Sequence, residues 1–511
     1  MPGRTEFQFT LPKSVSAPRR QHPDAPARIL IMADFSGREH RTPSPSAPGE
    51  RPGRPLSRVD ADTLDAVMAR LAPALRLPLA GETGSAAIAI SFASIDDFHP
   101  DALYRSLELF QALRRTRARL LDPASFARAA AELNLGPAPE STRSETGPTA
   151  EERDPALLER LLGRPAGPAP ARLTDPSSGA LAGLLQAVVR PHIVNIDPQQ
   201  KSWVAAVDTA IGAQLRAILH HPAFQALEAT WRSVHDLVMN VDNTEVCIEL
   251  LDVTRQELLD DLRAAAGEPR ATALRALLDE RDAGMDDGPL RSLLIGDYQF
   301  GATAEDVALL GALGTLAAHA GGPFLAAALP EALGAPSPAA LADPTSWSAL
   351  PEDGRRHWRR LRASAVAPWL GLALPRVLLR LPYGPKTDPT ELFPFEEMPA
   401  GRDPAAYLWG NPAFICARLI AAEFVESGWS EGLGSMAELD DLPGHTYEDS
   451  GERVLQPTTE ILLGERALQE ILARGLMPLA GHRQRSAVRL IRFQSLADPP
   501  ASLAGPWQAV S

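Results

Sequence analysis

Between residues 134 and 180 the sequence turns to Pro, Ala, Gly, Glu and Ser. Residues 155–163 have room for one or two helical turns; the rest reads as a linker, kept semi-extended by its prolines. This stretch divides the chain before anything else is known about it. An N-terminal block covers 28–133, the linker 134–180, and a larger block 181–511. Residues 1–27 are polar and Pro-rich and read as a flexible arm. At about 150 residues per domain the length allows three or four domains.

In the first block, Arg28-Ile-Leu-Ile-Met-Ala-Asp34 is an apolar run of strand length, closed by the turn Phe35-Ser-Gly-Arg38. Residues 41–55 hold several prolines and read as a loop. From Asp62 to Leu75 the apolar residues fall at 64, 67, 68, 71 and 75, a helical spacing. Ala87 to Ala93 alternates as a strand. Asp96-Asp97 followed by Pro100 marks a helix start, and Leu103 to Leu121 is helical with Arg114, Arg115, Arg117 and Arg119 near its end, where they complement the helix dipole. In the second block, helices are expected at Ile211 to Leu219, Phe224 to Val238, Thr254 to Leu278 (one helix or two around Gly267), 304–329, Arg355 to Ala365, Ala413 to Glu426 and 465–473. Strands are expected at Glu245 to Leu251, Ser292 to Asp297, Arg376 to Leu381, Thr458 to Leu463 and Val488 to Phe493. In the last of these, Val488, Leu490 and Phe493 are apolar while Arg489 and Arg492 are charged, with Ile491 between, so one face is wet. No short-period repeat is found. The class is α+β or mixed α/β: two α/β blocks joined by a Pro-rich linker.

Hydrophobic residues make up 45% and charged residues 22%, which excludes a wholly disordered chain and a polytopic membrane protein. The segment Val307 to Pro330 lacks Asp, Glu, Lys and Arg and is long enough to span a bilayer. Its Gly321, Gly322 and Pro323 favour a buried helix followed by a turn. Met1 to Thr10 is polar and carries no secretory h-region. The two cysteines, Cys247 and Cys416, cannot make a disulfide framework or a structural zinc site and point to a reducing compartment. The net charge of −14 sits beyond residue 125: residues 1–125 carry 17 basic and 14 acidic residues, the remainder 33 and 50. Such a body repels nucleic acid and anionic membrane and suits partners with basic faces. Arginine outnumbers lysine 47 to 3, the coding bias of a GC-rich, bacterial genome.

The chemical motifs are weak. Gly428-Trp-Ser430-Glu-Gly432 matches G-x-S-x-G, and Asp440 and His445 follow in hydrolase order. A nucleophile elbow needs a strand before it and a helix after it. Here a helix precedes and a loop follows, so a helix C-cap and turn is the better reading. His220 and His221 are adjacent and cannot share a metal face, with His235 too distant for an i, i+4 pair; helix-end capping or packing is expected. His319 is expected in the core. The pairs Asp96-Asp97, Asp260-Asp261 and Glu396-Glu397 read as solvated faces and caps. There is no Walker or dinucleotide motif; Lys386 follows Pro385 in a turn. The residues therefore suggest neither catalytic site, metal nor cofactor, which favours a structural role.

Several segments of the second block resemble the large subunit of the type VI secretion contractile sheath. They are Leu219-His-His-Pro-Ala-Phe-Gln-Ala-Leu-Glu-Ala-Thr-Trp231-Arg, Gly296-Asp-Tyr-Gln-Phe300, Leu370-Gly-Leu-Ala-Leu-Pro-Arg376 with Leu381-Pro-Tyr-Gly384, Phe395-Glu-Glu397, and Tyr407-Leu-Trp-Gly-Asn-Pro-Ala-Phe414, in matching order and spacing over roughly 190–496. The stretch Arg474-Gly-Leu-Met-Pro-Leu479 to Phe493-Gln-Ser495 resembles that subunit's C-terminal end. Ile29 to Gly37, Arg58-Val-Asp60, Val67-Met68 and Ser91-Phe-Ala-Ser-Ile-Asp-Asp-Phe-His-Pro-Asp101 resemble the small sheath subunit. The two subunits are normally separate chains. The resemblance implies a helical homopolymer around an inner tube protein, attached to a baseplate and working in the cytoplasm. Neighbours would be stitched by strand addition. A Clp-type AAA+ ATPase would recycle the contracted sheath through a helix that falls here around 155–190. Candidate assembly elements are the strand Val488, Arg489, Leu490, Ile491, Arg492, Phe493 and the segments 1–27 and 134–180. The competing readings are a non-contracting scaffold or baseplate-associated homologue, and a serine hydrolase using Ser430.

Overall fold

The computed structural model describes residues 26–40, 55–78, 87–134, 200–283, 291–429, 432–434 and 437–508. Nearly all of the linker and the arm, and Ser430, lie outside them. The chain forms two compact units, one built from residues 1–79, 84–103 and 216–511, the other from 80–83 and 104–215.

The first unit is organised by strands β1 (Ala27–Ala33), β2 (Ser57–Val59), β3 (Ala74–Pro78), β4 (Ala87–Ser91), β5 (Val246–Asp252), β6 (Leu293–Phe300), β7 (Phe324–Ala328), β8 (Leu370–Leu374), β9 (Val377–Leu378), β10 (Trp409–Gly410), β11 (Glu438–Leu439), β12 (His445–Asp449), β13 (Glu452–Gln456), β14 (Met477–Gly481) and β15 (Val488–Leu490). Nine of them make one sheet in the order β11-β15-β14-β8-β7-β6-β1-β5-β2. The run from β14 to β5 is parallel. β2 at one flank, and β15 and β11 at the other, are antiparallel.

The apolar run of the first block does not head a sheet of its own. β1 lies between β5 and β6, with Ile29 opposite Ile248 on one side and Leu293 on the other, and Ile31 opposite Leu250 and Ile295. All seven of its residues are buried, as the interior of a parallel sheet demands. Leu30 and Met32 join the core formed with the helix Ala304–Ala320 through Leu310, Leu313 and Ala317. Ile29 and Ile31 are equally buried and point to the opposite face.

Local chemistry explains where the sequence reading needs correction. The helix expected over 62–75 is Leu64–Leu71; Pro73 stops it, and Leu75 is a buried residue of β3, which pairs with β4. The helix expected to run to 329 ends at Ala320, where Gly321 takes a left-handed φ of 83°. Residues 324–328 then form β7, a fully buried central strand. A uniformly apolar segment carries no period that separates a buried helix from a buried strand. The strand expected at Arg376 to Leu381 shrinks to β9, while the sheet strand is β8 just before it. Of Thr458 to Leu463, only Thr459 makes a bridge, to Val377. The helix over 103–121 is broken at Leu107 into Pro100–Ser106 and Glu108–Leu121.

In the second unit, the helix Glu108–Leu121 of the first block meets the beginning of the helix Gln200–Leu219. Arg117 Nε lies 2.6 Å from Asp208 Oδ1, and Gln200 Nε2 donates to the carbonyls of Leu120 and Leu121 at 2.7 and 2.6 Å. Arg119 pairs with Glu132 at 2.7 Å. The arginine cluster at the end of that helix is thus partly spent on protein contacts. Among the described residues no helix is long and apolar enough to cross a membrane.

Ile31→Ala removes a fully buried side chain from the middle of the sheet and is expected to cost about 2–5 kcal/mol. A thermal or urea melt followed by circular dichroism measures it; an unchanged midpoint would mean that β1 is not part of the core.

Candidate assembly site

The seam between β1 and its neighbours is held at both ends by charge. At the start of the strand, Arg28 is 7% exposed; its guanidinium lies 2.8 Å from Glu249 of β5. Its main-chain N–H donates to Ser292 Oγ at 3.2 Å. Past the end of the strand, the Arg38 guanidinium pairs with Asp252 and, at 3.1 Å, with Glu257. Burial alone would lower the Arg38 pKa, but these two carboxylates raise it. Between them, the Trp231 indole N–H donates to the Phe35 carbonyl at 3.0 Å, and the two rings lie 5.3 Å apart. Gly37 turns the chain at φ 71°; a Cβ there would meet the Ala74 carbonyl oxygen at 2.9 Å.

Further first-block residues join the same unit. Phe92 and Phe98 stack at 4.2 Å, and both meet Phe224 edge-on. The Asp101 carboxylate, 4% exposed, accepts the main-chain N–H groups of Glu391 and Leu392 at 2.8 and 3.3 Å.

The segments that carry the sheath resemblance converge on a buried ion cluster. Arg380, just before Leu381-Pro-Tyr-Gly384, binds two carboxylates with both faces of its fork. Its distances to Glu228 are 2.8 and 3.3 Å, and to Glu397 they are 2.8 and 3.1 Å. Arg232 pairs with Glu228 at 2.7 Å and donates to the Tyr383 hydroxyl at 2.9 Å. The Tyr383 main-chain N–H donates to Glu397 at 2.8 Å, and His220 Nε2 stands 3.3 Å from the same carboxylate. Burial would raise the Glu397 carboxyl, yet Arg380 and the hydrogen bonds hold it down at about 2. Against the opposing effect of burial, the two carboxylates lift Arg380 well above its ordinary value. Burial pushes the Tyr383 phenol up to about 12. The sequence reading put Glu397 on a solvated face; at 1% exposure it is a core ion.

A second polar knot ties the remaining segments. The Asp297 carboxylate accepts from Thr230 Oγ1 at 2.6 Å and from Asn411 Nδ2 at 3.1 Å. These residues, with Asp34, Arg376 and Tyr407, line a cleft of about 430 Å³. Arg376 is already paired with Glu460 at 2.6 Å. Glu228, Arg380, Asp297 and Asn411 are thus engaged with the protein itself, an arrangement that fixes geometry.

The expected assembly strand is hydrogen-bonded on both sides within the chain. Val488 stands opposite Leu439 of β11 and Gly481 of β14, and Arg489 opposite Glu438 and Ala480. The strand expected over 488–493 is only Val488–Leu490, where Val488 and Leu490 are buried and Arg489 is exposed, as the alternation requires; beyond its end Arg492 is exposed and Phe493 buried, out of that alternation. Ile491 is half-buried and its N–H donates to the Pro478 carbonyl at 3.2 Å. The edges of the sheet are the short strands β11 and β2. The hairpin β12–β13, which sequence reasoning missed, pairs only with itself among the described residues; its polar, charged strands lack the apolar alternation used to find strands.

The other candidates have structural partners. His445 Nδ1 contacts the Tyr407 hydroxyl at 2.7 Å, and Asp440 pairs with Arg485. Gly428 caps the helix Ala413–Ser427, with its N–H donating to the Phe424 carbonyl at 2.8 Å. His221 is the N-cap of the helix Pro222–Met239, accepting from Ala223 N at 3.2 Å. Asp261 caps the next helix through the N–H groups of Ala273 and Leu274, and Asp97 closes a capping box with Ser94. His319 is not a core histidine: its side chain is 36% exposed and lies 2.8 Å from Asp279.

Comparison with known proteins adds the family. The VipB model, described as EvpB/VC_A0108, tail sheath N-terminal domain, matches residues 201–497. A second model, described as type VI secretion system, VipA, VC_A0107 or Hcp2, matches residues 17–133. The chain is 36% identical over 308 residues to the type VI secretion system sheath protein TssC1 of Pseudomonas aeruginosa, covering 58% of this chain and 61% of that protein. The chain therefore spans less than two thirds of that relative. Residues 474–495, expected to correspond to the large subunit's C-terminal end, fall inside the match to an N-terminal domain, which corrects that expectation.

Arg380→Met leaves two carboxylates buried without their shared cation and is expected to cost about 3–5 kcal/mol. Because the Glu397 pKa is depressed in the folded chain, its contribution is present above the ordinary value of 4.5 and is lost as pH falls toward about 2. Glu397→Gln should therefore flatten the acid limb of the stability profile, read as the melting midpoint against pH; an unchanged acid limb contradicts the cluster's role.

Proposed function

We propose, for a chain that belongs to the type VI secretion tail sheath family, that it is a structural subunit of a bacterial contractile sheath carrying small- and large-subunit parts in one polypeptide. One observation carries this reading. β1, from the segment that the VipA model matches, is a central strand of a sheet whose neighbours β5 and β6 come from the segment that the VipB model matches. One chain then fixes one-to-one stoichiometry.

In this reading, copies polymerise into a helical sheath around an inner tube, in the cytoplasm, starting from a baseplate. The sheath is built extended, and contraction propels the tube. The chain is not an enzyme and needs no cofactor. Its layout is an arm over 1–27, a small-subunit part over 28–133, a linker over 134–180 and a large-subunit part over 181–511. Of the residues Val488 to Phe493, Val488 and Arg489 serve assembly indirectly, by holding the edge strand β11 in register. A Clp-type ATPase would have to grip residues around 155–190, inside the chain.

Negative-stain microscopy of the full-length protein, alone and with its tube protein, tests the reading. Hollow helical tubes or cogwheel rings are expected, and Ser430→Ala should leave them unchanged. Discrete monomers at every concentration would overturn polymerisation and leave a non-contracting scaffold.

A further inference from the structure

The helix Glu352–Arg362 stands out on an acidic protein. Its sequence Glu-Asp-Gly-Arg-Arg-His-Trp-Arg-Arg-Leu-Arg buries Trp358 and Leu361, at 7% and 0% exposure, and packs on the helix Ala304–Ala320. Arg355, Arg356, Arg359 and Arg360 are exposed. Arg355 pairs with Glu352 and Arg356 with Asp353. Arg362 turns inward and donates to the carbonyls of Leu496 and Ala497 at 2.9 and 3.4 Å. Arg359 and Arg360 make no ion pair among the described residues. Each sits four residues after another exposed arginine, a like-charge spacing that an isolated helix resists.

The hairpin β12–β13 has the opposite imbalance. Glu448, Asp449 and Glu452 are all exposed. Glu448 faces Arg453 across the ladder, but Asp449 faces Glu452, and like charges directly opposite repel. Arg359 and Arg360 on the helix, and Asp449 and Glu452 on the hairpin, make no ion pair among the described residues, and each patch carries what the other lacks.

We infer that the arginine face of Glu352–Arg362 docks on the acidic hairpin tip of a second copy of this chain. The net charge of −14 argues against an anionic membrane or nucleic acid as the occupant, since the rest of the body would be repelled. Contact between two different patches is heterologous, so repetition builds a ring or an open helical filament. The polymer geometry rests on the sheath reading; the contact itself does not.

The test uses full-length protein and sedimentation at low and high salt. One variant carries Arg359→Glu with Arg360→Glu, another Glu448→Arg with Asp449→Arg, and a third carries all four changes. Circular dichroism checks that each is folded. Each two-residue variant should raise the concentration needed for assembly by about tenfold. An equal mixture of the two, and the four-residue variant alone, should restore it. Tubes formed equally well by the wild type and the two-residue variants would overturn the inference and leave the sheath reading standing. Salt-sensitive oligomers that follow the charge swap without forming tubes would support the inference and overturn the sheath reading. No self-association of the wild type, or arginine-dependent binding to phosphatidylserine vesicles with assembly unaffected, would overturn the inference.

Discussion

The structure depends on where β1 sits. A strand in the middle of a parallel sheet is bonded on both sides and buried on both faces. Without β1, β5 and β6 would face each other across a gap lined by unpaired N–H and C=O groups, which buried backbone does not tolerate. The large block therefore cannot close its core without seven residues that lie more than two hundred positions upstream. The charge pairs Arg28–Glu249 and Arg38–Asp252, one at each end, set the register. A tether alone would bring the blocks near each other; the seam builds strands of both into one sheet.

The helix Pro222–Met239 carries that constraint into the rest of the first unit. Trp231 addresses the Phe35 carbonyl behind β1. Glu228, almost one turn earlier, addresses Arg380, and Thr230 addresses Asp297 of β6. One helix thus reads three elements at once. A buried ion cluster gives little net stability over an apolar replacement, but it is intolerant of misplacement. That intolerance makes Glu228, Arg380, Asp297 and Asn411 fixed points of geometry in the segments that carry the family resemblance.

Much of this was legible in the residues. Arg28 to Asp34 reads as a strand from its apolar run, and the helices around 224–238 and 413–426 read from their period. The seat of β1 was not legible, because an apolar run says that a strand is buried and not between which neighbours. β7 was hidden inside an Ala-rich segment that looks helical throughout, and Gly321 with Pro323 was the only local sign of a break. The ion cluster was out of reach for a different reason: Glu228, Arg380 and Glu397 are separated by up to 169 positions, and each alone looks like a surface charge. The strand expected over Val488 to Phe493 shrinks to Val488–Leu490, half wet as read, and its partners were not legible, since the two-residue β11 that covers it carries no pattern of its own.

The most direct test of the shared sheet is to place a protease site in the linker at 134–180 and cut it in the folded, full-length protein. If β1 is seated within its own chain, the two fragments stay together at the mass of one chain under native conditions. Fragments that separate without denaturant, or that remain joined only in assemblies of several chains, would contradict it.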